Sequence, residues 1–298
     1  MTTRKAILIS NPKTGRYATK QLPQIEEICA QLKSHNLDAE LVTTHGPGDA
    51  TRIAAAAARN GASEVIVAGG DGTINEALQG LVGTPARLAI LPRGTANVLA
   101  RELGLPLGCE RAADIILQAK TRRIHVGCAI DEKSRTRRYF LLMAGIGLDA
   151  SVVRRVHPGL KKRFGKGAFW FSGLSHLADW KPRPFEIEVN GKLFTATFVT
   201  IGKAASYGGD LTVTPRAQLE KPDFEICIIN SRSRIRYLQL LSYAMRSGVP
   251  TGKPGVNFLR ASRARATGDA NVQVDGELIG KLPMTFEIAP ETIDVIVP

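Results

Sequence analysis

Between Glu64 and Leu81 a β-branched run, a glycine loop and an amphipathic stretch follow one another without a spacer. Val65, Ile66 and Val67 read as a buried parallel strand, and Gly69-Gly70-Asp71-Gly72-Thr73 breaks it. Ile74, Ala77, Leu78 and Leu81 then recur at helical spacing and give one apolar face. Three glycines in four positions remove the Cβ atoms that would keep a phosphate chain away from backbone N–H groups. A strand, a glycine turn and a helix N-terminus together make an anion seat. Glycines alone would suit a tight turn equally well. A mere turn, however, has no need of an acid at its centre (Asp71) or of two polar groups on the next helical turn (Asn75 and Glu76).

The same alternation runs from the start of the chain to Ala119. Strands are expected at Ala6–Ser10, Glu40–Thr43 and Leu88–Leu91, with helices over Leu22–Leu32, Asp49–Arg59, from about Ala96, and over Glu110–Ala119. Asp49 reads as the N-cap of the second helix and Thr95 as that of the helix near Ala96. Strands alternating with helices through short loops argue for a parallel sheet covered on both faces, and such sheets bind ligands at the carboxyl ends of their strands. Asn11, Thr44, the glycine loop from Gly69 to Thr73, and Pro92-Arg93-Gly94-Thr95-Ala96-Asn97 all fall at such ends, so four polar loops converge on one edge.

After about Gly127 the pattern changes to short strands at Tyr139–Ala144, Phe185–Val189, Leu193–Ile201 and Phe224–Ile229, with further runs near Val272 and Phe286. Asn190-Gly191 is a tight hairpin signal, and helices are expected only over Gly167–Trp180 and Ile235–Arg246. The expectation is an α/β domain over 1–127 and a mostly antiparallel, β-rich domain over 128–286 that takes the substrate.

The net charge of +13 fits nucleic acid, an anionic membrane or phosphorylated substrates. Its distribution narrows the choice. No acid occurs from Ser151 to Ala178 or from Ile226 to Gly268, and the bases of window 154–180 run into Phe164, Phe169, Trp170, Phe171 and Trp180. Bases beside clustered rings suit an anionic membrane surface, although a solvated basic face beside a core helix has the same composition. No recognisable nucleic-acid module is present. No run approaches a membrane span, the four apolar residues Ala6–Ile9 are too few for a signal peptide, and Cys29, Cys109, Cys128 and Cys227 form no CxxC. A cytoplasmic protein with reduced thiols and peripheral membrane contact is expected, with a homodimer left open.

GGDGTINE, from Gly69 to Glu76, resembles the nucleotide loop of the diacylglycerol kinase catalytic family, which includes bacterial lipid kinases and sphingosine kinases. NAD kinases and phosphofructokinases share GGDG, while Asn75-Glu76 leans toward the lipid kinases. LPRGTANVLARELGLP, from Leu91 to Pro106, resembles a second signature of that family, and Gly145–Ala150 resembles a block at its domain junction. The resemblance implies a Rossmann-like, phosphofructokinase-like first domain, a β-sandwich second domain, and a C-terminal segment (about 287–298) that returns to the first. It implies an ATP- and Mg²⁺-dependent kinase of phospholipid metabolism, with a lipid hydroxyl as acceptor in the interdomain cleft. Gly70 to Glu76, Thr95 and Thr44 would touch ATP, with Asp71 assisting. Phosphoryl transfer to an alcohol needs a carboxylate near the attacking hydroxyl, and the family's matching turn offers Asp275 and Glu277, between which the sequence does not choose.

The chain departs from the family in one block. Relatives usually carry Asn within the stretch matching Ile201–Ser206, and later an Asp-Gly pair whose acid helps hold a structural divalent ion. Here Lys221-Pro222 stands in place of that pair. A lysine cannot ligate a hard cation, so the expectation is that the ion is absent and that the Lys221 ammonium supplies the charge. The alternatives are an NAD-kinase-like enzyme with a soluble substrate, and a nucleotide-binding regulatory or membrane-adaptor protein weakened in catalysis.

Overall fold

The computed structural model describes residues 3–12, 22–147, 182–207 and 211–298. The window 154–180, with the helix expected over Gly167–Trp180, lies outside the described residues, as do Leu148, Asp149 and Ala150 of the junction block. The chain forms two units, Met1–Ile124 with Pro290–Pro298, and His125–Ala289.

In the first unit, strands β1 (Arg4–Ser10), β2 (Leu37–Thr43), β3 (Glu64–Gly69) and β4 (Arg87–Pro92) form a parallel sheet in the order β2-β1-β3-β4. Val295, near the chain's end, continues it in parallel beside Leu88. Helices α1 (Leu22–Ser34), α2 (Asp49–Arg59), α3 (Asp71–Leu81), α4 (Val98–Glu102) and α5 (Cys109–Gln118) complete the unit. Side chains alternate along each strand, so Leu8, Ile66, Ala89 and Leu91 share one core with Ile25, Ile28 and Leu32 of α1 and Ala112, Ala113 and Ile116 of α5. Ile7, Ile9, Val65, Val67 and Ile90 are buried by the same alternation toward the opposite face, where α2 and α3 meet the strands. The two helices pack so closely that a Cβ on Gly80 would run into the Thr51 carbonyl. At the amino ends of β1, β3 and β4, the fully buried Glu64 carboxylate pairs with Arg4 and Arg87, which closes that edge of the sheet. Asp49 is the first residue of α2, not its cap: Gly48 holds the cap position, and the Asp49 carboxylate reaches back to the His45 and Gly46 amides. All four cysteines are free thiols.

The second unit is antiparallel. Its strands in chain order are β5 (Thr121–Asp131), β6 (Arg137–Phe140), β7 (Met143–Gly147), β8 (Phe185–Val189), β9 (Lys192–Ala196), β10 (Phe198–Gly202), β11 (Ser206–Tyr207), β12 (Leu211–Thr212), β13 (Phe224–Ile229), β14 (Val256–Ala261), β15 (Arg263–Thr267), β16 (Asn271–Val274), β17 (Glu277–Lys281) and β18 (Met284–Ile296). The boundaries between the units fall inside β5 and β18. One helix, α6 (Arg234–Arg246), lies between β13 and β14. A sheet in the order β14-β13-β10-β7-β16-β17 shares an apolar core with the layer containing β18, β15, β8 and β9, including Phe140, Ile146, Phe185, Val199, Phe224 and Phe286. The rings of Phe140 and Phe224 stack with centroids 5.7 Å apart.

Asn190-Gly191 forms the hairpin between β8 and β9, with φ of 52° and 72°. The single strand expected over Leu193–Ile201 is in fact two, in different sheets, broken at Thr197. The buried Thr197 hydroxyl lies within hydrogen-bond distance of the Ile229 and Ser231 carbonyls and the Tyr237 hydroxyl, which anchors the chain where it changes sheets.

Candidate functional site

At the carboxyl edge of the parallel sheet the ends of β1, β3 and β4 lead into loops that carry the glycines. Gly70 is the N-cap of α3 and brings no side chain, so it gives the first-turn amides of Asp71, Gly72 and Thr73 no side-chain cap. The helix macrodipole adds partial positive charge at the same place. Among the described residues, a Cβ on Gly72 would meet nothing within 4 Å, so this glycine faces open space. Gly69 and Gly94 are glycines for a different reason. A Cβ on Gly69 would lie 2.8 Å from the Thr73 Cβ, and one on Gly94 would lie 2.7 Å from the Gly70 Cα. The two signature loops therefore abut backbone to backbone.

Asp71 fastens this contact. Its two carboxylate oxygens accept the amides of Val98 and Leu99, each at 3.1 Å, and so cap α4 from another loop. The helix expected from about Ala96 is only five residues long and starts at Val98, and Thr95 is exposed and does not cap it. Asn97 holds the cap position in the left-handed region at φ 47°, and its Oδ1 accepts the Gly94 amide at 2.7 Å. Asn11 donates from Nδ2 to the Thr73 hydroxyl at 3.0 Å, and the buried Thr44 is tied to β1 by its amide on the Ser10 carbonyl. Glu76 accepts the Gly48 amide at 3.2 Å, and its own carbonyl accepts the Thr51 hydroxyl, which locks α3 to the start of α2. Asn75 is buried, with Gln79 donating to its carbonyl at 2.9 Å.

One residue at this edge was not singled out from the sequence. Arg93 is only 6 % exposed; its Nη1 donates to the Ser10 hydroxyl at 3.2 Å and its amide to the Gly69 carbonyl at 2.9 Å. Burial holds its pKa below the usual value and the neighbouring Cys109 opposes that. An arginine remains protonated even so, and this one puts a fixed positive charge among the ends of β1, β3 and β4. The readable signal is a base set between two strongly apolar runs in LPRGTANVL.

In the second unit, Asp275-Gly276 turns β16 into β17 with both residues left-handed, at φ 46° and 84°. The Asp275 carboxylate accepts three consecutive amides at 2.9 Å, Leu141 on Oδ2 and Leu142 and Met143 on Oδ1. Those bonds fix the passage from β6 to β7 and commit Asp275 to holding the backbone. Glu277 differs: its side chain is 55 % exposed and pairs with Arg138 across the neighbouring strand.

A glycine loop leading into a helix N-terminus at the carboxyl edge of a parallel sheet is the arrangement of a phosphate-binding protein. Residues 5–129 match the diacylglycerol kinase catalytic domain, and residues 143–297 match the YegS C-terminal NAD kinase beta sandwich-like domain. The chain thus carries the diacylglycerol kinase catalytic domain followed by the YegS-type C-terminal domain, the latter over half of its length, and belongs to the family built from that pair. It is 29% identical over 299 residues to a protein named diacylglycerol kinase from Mycobacterium tuberculosis, covering 99% of this chain and 95% of that one. It is likewise 29% identical over 302 residues to the diacylglycerol kinase of Bacillus subtilis, covering 99% and 97%. A crystal structure of a putative diacylglycerol kinase from Bacillus anthracis superposes with a TM-score of 0.82 at 24% identity, covering 100% of this chain and 98% of that one, and shares the fold. Among the described residues no helix is long and apolar enough to cross a membrane.

Proposed function

We propose that this protein transfers the terminal phosphoryl group of ATP to the hydroxyl of a diacylglycerol-like lipid. The observation that carries this reading is the division of labour at the glycine loop: Asp71 caps α4 and leaves the first turn of α3 uncapped. Those amides, with Arg93 behind them, would hold the phosphates, and Thr44, Thr95 and Asn97 line the neighbouring loops. A magnesium ion bound with the nucleotide would neutralise charge on its phosphates. Asp71 is the carboxylate suited to face that ion, because each of its oxygens accepts one amide and keeps a lone pair. Glu277 accepts the proton of the attacking hydroxyl, with Arg138 setting its orientation; Asp275 holds the turn that carries it.

Contact with an anionic membrane gives the acceptor a route to the enzyme, from the cytoplasmic side where ATP is found. Support comes from α6, where Ile235, Leu238 and Met245 are exposed while Tyr237, Leu240 and Ala244 are buried on the opposite face. Arg234 and Arg246 flank the exposed apolar stripe at helical spacing, and no acid occurs from Ile226 to Gly268.

Incubation with γ-labelled ATP, Mg²⁺ and a lipid panel on anionic vesicles, with NAD as a soluble acceptor, tests the reading. Label is expected in a diacylglycerol-type lipid. Label in NAD, or ATP binding with no labelled lipid, overturns it.

A further inference from the structure

Lys203, at the end of β10, is 0 % exposed, and among the described residues it is one of the largest side chains buried to that degree. It follows Ile201 and Gly202 and precedes Ala204, all buried, so its ammonium has no route to water along its own strand. The Nζ instead meets backbone oxygens of the loop leading into β13. It donates to the carbonyl of Gln218 at 3.1 Å, to that of Asp223 at 3.3 Å, and to that of Lys221. An ammonium has three N–H donors, and here three carbonyls take them one apiece. The Asp223 carboxylate is engaged separately, by Arg260 through two bonds of 2.9 and 2.6 Å.

This is the loop where the family resemblance implies a structural divalent ion held partly by an acid. The residues present do not fit such an ion. The acid position is Lys221, whose side chain is exposed, and the carbonyls that turn inward are already bonded to an ammonium. The expectation that Lys221 supplies the missing charge is thus corrected: Lys221 gives the cluster a carbonyl, and the charge comes from Lys203. A ring of carbonyl oxygens with no acid among them suits a single charge better than a double one.

We propose that Lys203 is a covalently built-in substitute for the structural divalent ion, so that the loop from Ala217 to Asp223 is held closed without any metal. Burial lowers the Lys203 pKa to about 8, with Asp223 and Glu220 opposing the shift and Arg260 adding to it, so the group is charged at neutral pH. The nearby His125 is held below its usual value by burial and by Lys203, and so adds no second charge there at neutral pH. The substitution in two places of one block now has a single cause. Once a lysine enters at position 203, an acid at 221 is no longer required, and Lys221-Pro222 can replace Asp-Gly with the loop still intact.

The test is thermal melting of the full chain without nucleotide, in EDTA and in millimolar MgCl₂. The wild-type midpoint is expected to be the same in both. The double variant Lys203→Asn, Lys221→Asp, which removes the buried ammonium and returns an acid to position 221, is expected to melt lower in EDTA and to regain about 3 °C or more with Mg²⁺. A wild-type crystal soaked in Mn²⁺ is expected to show no anomalous peak within bonding distance of the carbonyls of residues 218, 221 and 223. A wild-type midpoint that falls in EDTA, a Mn²⁺ peak at those oxygens, or a folded double variant indifferent to Mg²⁺ would each overturn the proposal. The two wild-type measurements decide the matter without relying on the variant.

Discussion

At the edge of the first unit the helix α3 begins on a glycine that gives its amides no side-chain cap, whereas in the second unit two comparable convergences of backbone groups are closed by side chains from elsewhere in the sequence. Lys203 fills a ring of three carbonyls, and Asp275 fills a row of three amides. The two closures are mirror images in charge. They show that polar backbone groups gathered at one point can serve either to bind a ligand or to staple the fold, and that the presence of an internal counter-charge tells the two apart. By that criterion Asp275, which looks chemically alike to Glu277 in sequence, is a staple. The Glu277 side chain, by contrast, is 55 % exposed and paired with Arg138.

The largest expected effect is on the carbonyl ring. Lys203→Met leaves three partly buried carbonyls without their donor and should cost roughly 3 kcal/mol of stability, read as a lower urea midpoint with an unchanged slope. A loss below about 1 kcal/mol would mean that the ring relaxes to water and that the ammonium is not what closes it. Next come the two acids of the Asp275 turn, which should separate cleanly. Glu277→Gln should lower turnover by about 10²–10⁴-fold with little change in the melting midpoint, since the Glu277 side chain itself is 55 % exposed. Asp275→Asn should instead lower stability by about 1–3 kcal/mol, because an amide oxygen cannot accept all three amides and the NH₂ opposes one of them. The reverse pattern would exchange their roles.

Gly94→Ala sharpens the other side of the comparison. Its Cβ would press on the Gly70 Cα and the Asn97 Oδ1, both 2.7 Å away, and force apart the loops that Asp71 joins. A stability loss of about 1–3 kcal/mol is expected from the overpacking, together with at least a tenfold weaker Mg-ATP titration by calorimetry. Unchanged ATP affinity would detach the α4 loop from nucleotide binding.

The layout of the first unit was legible because its strands are β-branched runs of period two, its helices carry an apolar stripe, and glycine separates them at Gly69–Gly72. The contacts that decide roles were not. Asp71 meets its amides 27 and 28 residues away, and Asp275 meets its own 132 to 134 residues away, so no local pattern distinguishes an anchoring carboxylate from a reacting one. Thr95 was read as a cap on residue type alone, while the αL backbone at Asn97 moved the helix start to Val98. Lys203 left one trace, a lysine within the block Ile201–Ser206 where relatives usually carry an asparagine, but which of the two lysines carries the charge depends on burial. Thr197 divided a run that alternates without a break, because a hydroxyl bonded to two carbonyls outweighs a continuous β propensity.

The smallest expected effects concern α6, a third polar and apolar convergence whose counterpart would be a membrane. If Ile235, Leu238 and Met245 enter the headgroup region, Leu238→Ser with Ile235→Ser should weaken sedimentation with anionic vesicles by tenfold or more, because each buried apolar side chain contributes about 1.5 kcal/mol or more. Both side chains are exposed in the free protein, so melting should hardly change. Arg246→Gln should cost only about 1 kcal/mol of vesicle binding, roughly fivefold, and that loss should vanish in vesicles without anionic lipid or at high salt. A serine pair that binds anionic vesicles as well as the parent would place α6 outside the membrane contact. A glutamine variant weakened equally on neutral vesicles would show that Arg246 acts through packing, not through lipid charge.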